Sequence, residues 1–198
     1  MSIYEEIINS NLQRLYSNLP ADLADRLPAS RIDNSFQFPA FGEFCRITPQ
    51  NIEIGNKAQT GPPGIIISLY ALQVDVKRCQ LKPFKAFREL PDSMPYIGAF
   101  ASNTESVLIE HTDTIEREAG RIIESFNGLQ EAQPDTGDFS FILFPLPKIA
   151  LNYIFYRADD EFPAAVTCLF SCNASQFLTT DALADTGEYT SKRILEIL

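Results

Sequence analysis

Apolar residues recur at helical spacing in two long stretches of the chain, which predicts two amphipathic helices. One spans residues 2–18 and the other about residues 103–126, and each carries isoleucine, leucine or valine side chains along one face. Both stretches begin at an S-x-x-E pattern, at Ser2 and Ser102, which is the signature of a capping box at a helix N-terminus. We therefore expect two capped helices that pack through their apolar faces.

Alternating apolar and polar residues elsewhere predict short β-strands. Residues 34–54 show this alternation and predict two or three strands. Further strands are predicted at 84–89, 139–144, 149–156 and 164–170. The links between the last three are short, so these strands are expected to form an antiparallel meander with 149–156 at its centre.

Residues 65–76 are apolar on all sides and fit either a buried helix or a central strand. Their length favours a helix with Pro62 or Pro63 in its first turn, whereas the β-branched isoleucines favour a strand. The chain ends in a mostly helical stretch, 180–198, with a break expected near Gly187.

Helices and strands do not alternate regularly, which favours an α+β fold over a doubly wound parallel sheet. The expected architecture is a mostly antiparallel sheet covered by helices. A chain of 198 residues suits a single globular domain, 1–198. The alternative is that residues 1–60 form a helix plus a small β lobe.

The formal net charge of −10 argues against nucleic acid and anionic membranes as partners, because both repel an acidic protein. The N-terminus has no basic leader and no apolar signal core, and no apolar run is long enough to span a bilayer. We expect a cytoplasmic protein with reduced cysteines and no cofactor. A small-molecule ligand, a homo-oligomer and a protein partner remain open.

Isolated reactive residues have simple structural interpretations. His111 is the only histidine and lies on the apolar stripe of the second helix, so a core position is favoured over a general base. Asp159–Glu161 lacks the spacing of a cation-binding loop and reads as a solvated turn. Cys168 and Cys172 lack the companions of a metal site and read as small core residues.

The pair Arg88-Glu89 lies in an apolar setting beside Pro91. Its guanidinium could hold a ligand carboxylate, but an intramolecular ion pair that fixes a strand end is the simpler interpretation. The glycine-rich stretch 60–64 does not match a phosphate-binding pattern, and no nucleophile motif such as G-x-S-x-G occurs.

A set of short motifs follows in fixed order through residues 85–185. Its members are Phe87–Pro91, Phe100, Gly137-Asp138, Leu146–Ile149, Asp160–Ala164, Leu169-Phe170 and Leu178–Asp181. In order and spacing this set resembles the domain-of-unknown-function 3786 family. The chain departs from that family's pattern at Ala150, Ala158 and Thr180, so it resembles a divergent member.

The resemblance implies no known activity. It implies a link to strict anaerobes, and some family members carry an N-terminal iron–sulfur module with four cysteines. This chain lacks the module, since Cys45 is the only cysteine in its first 78 residues.

Five residues match polar positions of the family pattern and are the candidate ligand-binding residues: Arg88, Glu89, Asp138, Asp160 and Glu161. With no catalytic motif present, the favoured hypothesis is a noncatalytic ligand-binding or accessory protein of anaerobic metabolism. One alternative is a carboxylate- or metal-dependent enzyme, which requires Asp138 to meet Asp160 or Glu161 in one cleft. Another is an interaction subunit with an aromatic surface, suggested by the 15 phenylalanines.

Overall fold

Two five-stranded antiparallel sheets organise the chain. The computed structural model describes residues 2–130 and 137–198. In the first sheet the strands follow chain order: β1 (Ser30–Ile32), β2 (Ser35–Ala40), β3 (Glu43–Ile47), β4 (Ile52–Ile54) and β5 (Lys57–Ala58). In the second sheet the spatial order is β6 (Lys85–Ala86), β10 (Ala165–Phe170), β9 (Ile149–Tyr156), β8 (Phe139–Leu146) and β7 (Leu129–Gln130). The predicted α+β class and the antiparallel meander β8-β9-β10 are confirmed.

Seven α-helices accompany the sheets within the described residues. They are α1 (Ile3–Ser17), α2 (Leu23–Arg26), α3 (Pro62–Gln73), α4 (Ile97–Phe100), α5 (Val107–Ile109), α6 (Thr112–Ser125) and α7 (Thr180–Ile197). A π-helical segment, Ala101–Ser106, joins α4 to α5. The helical interpretation of this apolar stretch is confirmed for residues 65–73 by α3, which has prolines in its first turn, whereas residues 74–76 lie beyond the end of the helix.

The capping box of α1 is confirmed. The backbone N–H of Glu5 donates to Ser2 Oγ at 3.3 Å, and the backbone N–H of Ser2 donates to Glu5 Oε2 at 2.6 Å. The predicted apolar face is only partly buried, because Ile3 and Ile7 are exposed while Ile8 is buried.

The single helix predicted over 103–126 is wrong. Helical structure runs from α4 to α5, is interrupted at 110–111, and resumes in α6. The second capping box does not form, because the Glu105 carboxylate accepts the backbone N–H of Cys168 in β10 at 2.9 Å. His111 is the N-cap of α6 and is exposed, so its predicted core position is also wrong.

Two other boundaries differ from the prediction. α7 continues through Gly187 without a break, and a Cβ at this position would lie 2.6 Å from the Phe100 ring. The glycine therefore serves close packing of α7 rather than a turn. The strand predicted at 84–89 is reduced to β6, because Phe87–Glu89 forms a 3₁₀ turn.

Most of the buried apolar residues form one cluster that includes residues from strands of both sheets. β9 lies at its centre and is buried at every position except Tyr156. Cys45 and Cys168 are buried in this core, whereas Cys172 is half-buried. A single domain across 1–198 stays a prediction. Among residues 2–130 and 137–198, no helix has the length and apolar content needed to cross a membrane.

Candidate functional site

A cavity of about 430 Å³ lies where two distant segments of the chain meet. One segment follows the 3₁₀ turn after β6, and the other leads into α7. The lining residues are Pro91, Asp92, Pro95, Tyr96, Ser175, Leu178, Thr179, Thr180 and Asp181. Pro91 and Leu178–Asp181 belong to the ordered motifs that carry the family resemblance, so two of these motifs share one cavity.

A hydrogen bond joins the two walls of the cavity directly. Thr180 Oγ1 donates to the backbone carbonyl of Pro91 at 2.6 Å, and Thr180 is buried. Ser93 Oγ donates to the carbonyl of Arg88 at 3.1 Å, which holds the wall against the preceding turn. These bonds fix the spacing of the cavity before any ligand binds.

The start of α7 contributes backbone donors as well as side chains. Thr179 is the N-cap and its side chain makes no capping hydrogen bond, so the first N–H groups of α7 keep the free donors typical of a helix start. Asp181 lies in this first turn, where a carboxylate is stabilised by the helix dipole.

The side chains at the cavity carry negative charge and hydroxyl groups. Two carboxylates, Asp92 and Asp181, are present, and none of the nine lining residues is a lysine or arginine. Tyr96 adds a phenol ring that is 39% exposed. The side chains of Asp92, Asp181 and Tyr96 have no hydrogen-bond or ion-pair partner within the described part of the chain. The cavity is therefore suited to a polar or cationic guest.

Two of the sequence-predicted site residues belong to the turn that precedes this cavity. Arg88 and Glu89 are both exposed and lie in the 3₁₀ turn Phe87–Glu89. The Glu89 carboxylate accepts the backbone N–H of Ala86 at 2.6 Å, so it stabilises the turn. Arg88 acts through its backbone carbonyl and Glu89 through its carboxylate, and neither residue lines the cavity.

The other three predicted residues lie at the β9–β10 link and the start of β8. Asp138 is exposed and its Oδ2 accepts the backbone N–H of Arg157 at 2.6 Å. The Arg157 guanidinium pairs with Glu116 of α6, which raises the pKa of Arg157, and the charge of Asp138 adds to this. Asp160 and Glu161 are exposed in the link. The structure thus places Asp138 beside this link and gives none of the three a place in the cavity.

The link itself is held by a neighbouring carboxylate. Asp159 Oδ1 accepts the backbone N–H groups of Glu161 and Phe162, at 2.8 Å and 2.7 Å. These two bonds, that of Phe162 first, lower the pKa of Asp159. Across residues 2–130 and 137–198, no group of three or more histidine, cysteine or acidic side chains could hold a metal ion.

Sequence reasoning missed the residues that line the cavity. Asp92 has a backbone φ of 54°, a conformation that aspartate and asparagine tolerate better than most residues, yet nothing around it in the sequence marks a site. Asp181 belongs to a resemblance motif and lies within the helical stretch predicted at 180–198, a pattern that does not mark it as a site residue. Residues 91–96 and 175–181 meet only through the tertiary fold. In the sequence, the one sign of this contact is that Pro91 and Asp181 both belong to the motif set.

A family model described as Domain of unknown function (DUF3786) matches residues 20–193, and the chain belongs to this family. The match extends beyond the resemblance at 85–185 and includes the first sheet. No curated protein and no solved structure gives a significant match to the chain.

Proposed function

We propose that this chain is a noncatalytic small-molecule-binding protein, and that the cavity between 91–96 and 175–181 holds its ligand. The observation that carries the proposal is the meeting of two family motifs, Phe87–Pro91 and Leu178–Asp181, at one preformed cavity. Ligand sites are typically concave and preformed, with a few convergent polar groups.

The ligand class follows from the charges. The N-terminus of α7 carries a partial positive charge of about half a unit, but Asp92 and Asp181 bring two full negative charges and no lysine or arginine lines the cavity, so the net field repels an anionic ligand. A protonated amine or a quaternary ammonium group would be attracted, and the Tyr96 ring offers a surface for cation–π contact. The volume of about 430 Å³ falls in the range of roughly 300–1,000 Å³ that small-molecule pockets occupy. The proposed ligand is a small organic cation.

The five residues predicted from the sequence keep roles in this proposal. Arg88 and Glu89 hold the turn that leads into one wall. Asp138, Asp160 and Glu161 are exposed carboxylates that add to the net negative charge of the protein, which would attract cations by long-range electrostatics. We further propose a cytoplasmic location, and a role in anaerobic metabolism that the family resemblance supports.

The test is isothermal titration calorimetry with a panel of small cations: ethanolamine, choline, putrescine, spermidine and arginine amide. We expect at least one saturable interaction that Asp92→Asn and Asp181→Asn each weaken by about tenfold, the effect of losing roughly 1.4 kcal/mol. Asparagine keeps the shape of aspartate and tolerates the positive φ at position 92.

Two matched controls come from the chain itself. Asp33 is an exposed aspartate with φ 52°, and Asp113 is an exposed aspartate in the first turn of α6. Asp33→Asn and Asp113→Asn should leave binding unchanged. Equal losses in all four variants would show a nonspecific charge effect, and absence of binding by every cation in the panel would refute the proposed ligand class.

A further inference from the structure

A second and larger groove, about 730 Å³, lies beside the first sheet. Its walls come from α2 and the segment that follows it, from β1 and β2, from the β2–β3 turn and the start of β3, and from the end of α6. It shares no lining residue with the cavity at 91–96 and 175–181. The two can therefore be tested independently.

The β2–β3 turn at one side of the groove is fixed from several directions. The Phe41 backbone N–H donates to the Pro145 carbonyl at 2.8 Å, and the Phe41 ring meets Tyr189 edge-on at 4.7 Å between centroids. Ser125 Oγ donates to the Gly42 carbonyl at 3.3 Å. Gly42 has φ +77°, and a Cβ there would lie 2.7 Å from Ser125 Oγ. This wall is preorganised, which lowers the entropic cost of binding.

One of the two carboxylates at the groove is already neutralised. Glu43 pairs with Arg193 of α7 at 2.5 Å, and the two side chains are only 34% and 20% exposed. The other carboxylate, Asp25, is exposed and has no ion-pair partner among the described residues. Because the groove is lined by no lysine or arginine, it does not suit an anion. A single unpaired carboxylate also gives a weaker attraction for cations than the two in the other cavity.

Uncharged polar side chains point to hydrogen bonding as the main polar interaction. The Gln37 amide is half-buried, and the Ser30 and Asn127 side chains are exposed. None of these three side chains has a hydrogen-bond partner among the described residues. Amide and hydroxyl groups both donate and accept, so they match a ligand that carries several hydroxyl groups.

The groove is lined by an aromatic side chain that is not part of the hydrophobic core. Phe44 is 54% exposed, and it is one of only two exposed phenylalanines among the 15, all of which lie in the described residues. The exposed Pro39 adds apolar surface nearby. A flat apolar surface beside hydrogen-bonding groups is the pattern that fits a ring with one C–H face and a rim of hydroxyls.

We infer that this groove binds a neutral carbohydrate, with one face of a sugar ring packed on Phe44 and its hydroxyls bonded to Gln37, Asn127 and Asp25. The inference goes beyond the proposed function, since it concerns a different site and an uncharged ligand.

The test is saturation-transfer-difference NMR on the wild-type chain with glucose, galactose, mannose, N-acetylglucosamine and the β1,4-linked disaccharides of glucose and of N-acetylglucosamine. We expect saturable transfer to the C–H protons of one ring face for at least one of these sugars. Phe44→Ala should weaken that binding by about tenfold, because it removes the ring surface. Gln37→Leu should weaken it similarly, since leucine keeps the bulk but not the amide.

Phe162→Ala is the matched control, because Phe162 is 66% exposed and lies in the β9–β10 link, away from the lining residues. This variant should bind as the wild type does, and thermal unfolding should show that all variants remain folded. No saturable transfer from any sugar in the panel, or equal binding by Phe44→Ala and wild type, would overturn the inference.

Discussion

Thr180 and Pro91, 89 residues apart in the sequence, are joined by a hydrogen bond of 2.6 Å from Thr180 Oγ1 to the Pro91 carbonyl. This bond ties the start of α7 to the segment after β6, and the proposed cation site lies between them. Thr180 therefore contributes to the site through position rather than through a free side chain.

Replacing Thr180 with valine should lower the free energy of unfolding by about 1 kcal/mol, because the hydroxyl donor is lost and the shape is kept. The same variant should weaken cation binding, since the two walls are no longer fixed. Thr180→Ser keeps the donor and should restore both properties. Chemical denaturation followed by calorimetric titration checks this, and identical behaviour of the valine and serine variants would contradict the assigned role.

Gly187 and Gly120 provide a matched pair within helices. A Cβ at Gly187 would meet the Phe100 ring at 2.6 Å, whereas a Cβ at Gly120 in α6 would meet nothing within 4 Å. Gly187→Ala should destabilise the fold by about 1–3 kcal/mol through overpacking. Gly120→Ala should stabilise it by about 0.5–1 kcal/mol, because alanine favours the helix. Urea denaturation of both variants measures the change in the free energy of unfolding. A stabilising effect of Gly187→Ala would show that α7 does not pack closely on Phe100.

Two identical sequence patterns should respond differently to mutation. Ser2→Ala removes a formed capping box and should cost about 1 kcal/mol of stability. Ser102→Ala alters the same S-x-x-E pattern where no box forms, because Ser102 lies inside the π-helical segment. We expect a negligible change there, measured by thermal unfolding at a fixed pH. Equal losses at both serines would restore the interpretation of residue 102 as a helix cap.

Glu105 should make stability depend on pH. Burial raises the pKa of Glu105 above its ordinary value of 4.5, against a smaller opposite effect of the hydrogen bond from the Cys168 N–H. Its stabilising contribution is therefore fully present below pH 4.5 and is lost as the pH rises through the folded-state pKa. Glu105→Gln keeps an acceptor for the Cys168 N–H without the charge.

The free energy of unfolding of Glu105→Gln, relative to that of the wild type, should increase when the pH rises from about 4 to about 7. Denaturant unfolding at both pH values measures the difference, with Glu110→Gln as the control because Glu110 is exposed. A stability difference between Glu105→Gln and wild type that does not change with pH would contradict burial of this carboxylate.

Local patterns predicted much of the fold and failed where tertiary contacts compete. The meander β8-β9-β10 and the capping box at Ser2 depend on neighbouring residues, so their sequence patterns were sufficient. The prediction of a capping box at Ser102 was wrong because the Glu105 carboxylate accepts a backbone N–H of β10 instead. The prediction of a helix break at Gly187 was wrong because the glycine makes room for the Phe100 ring, which lies 87 positions earlier in the chain.

The candidate site was predictable only in part. Arg88 and Glu89 belong to a turn beside the cavity, whereas Asp92 and Asp181 line it. Which polar residues face a common space depends on how 91–96 meets 175–181, and no local pattern encodes that contact.

The most direct test of the central claim is amide NMR of the ¹⁵N-labelled chain during titration with the small cation that binds best. We predict saturable shifts concentrated at Asp92, Tyr96 and Thr179–Ala182, and their loss in Asp181→Asn. Shifts confined to the exposed acids Asp138, Asp160 and Glu161, or no saturable shifts at all, would contradict the assignment of the cavity as the ligand site.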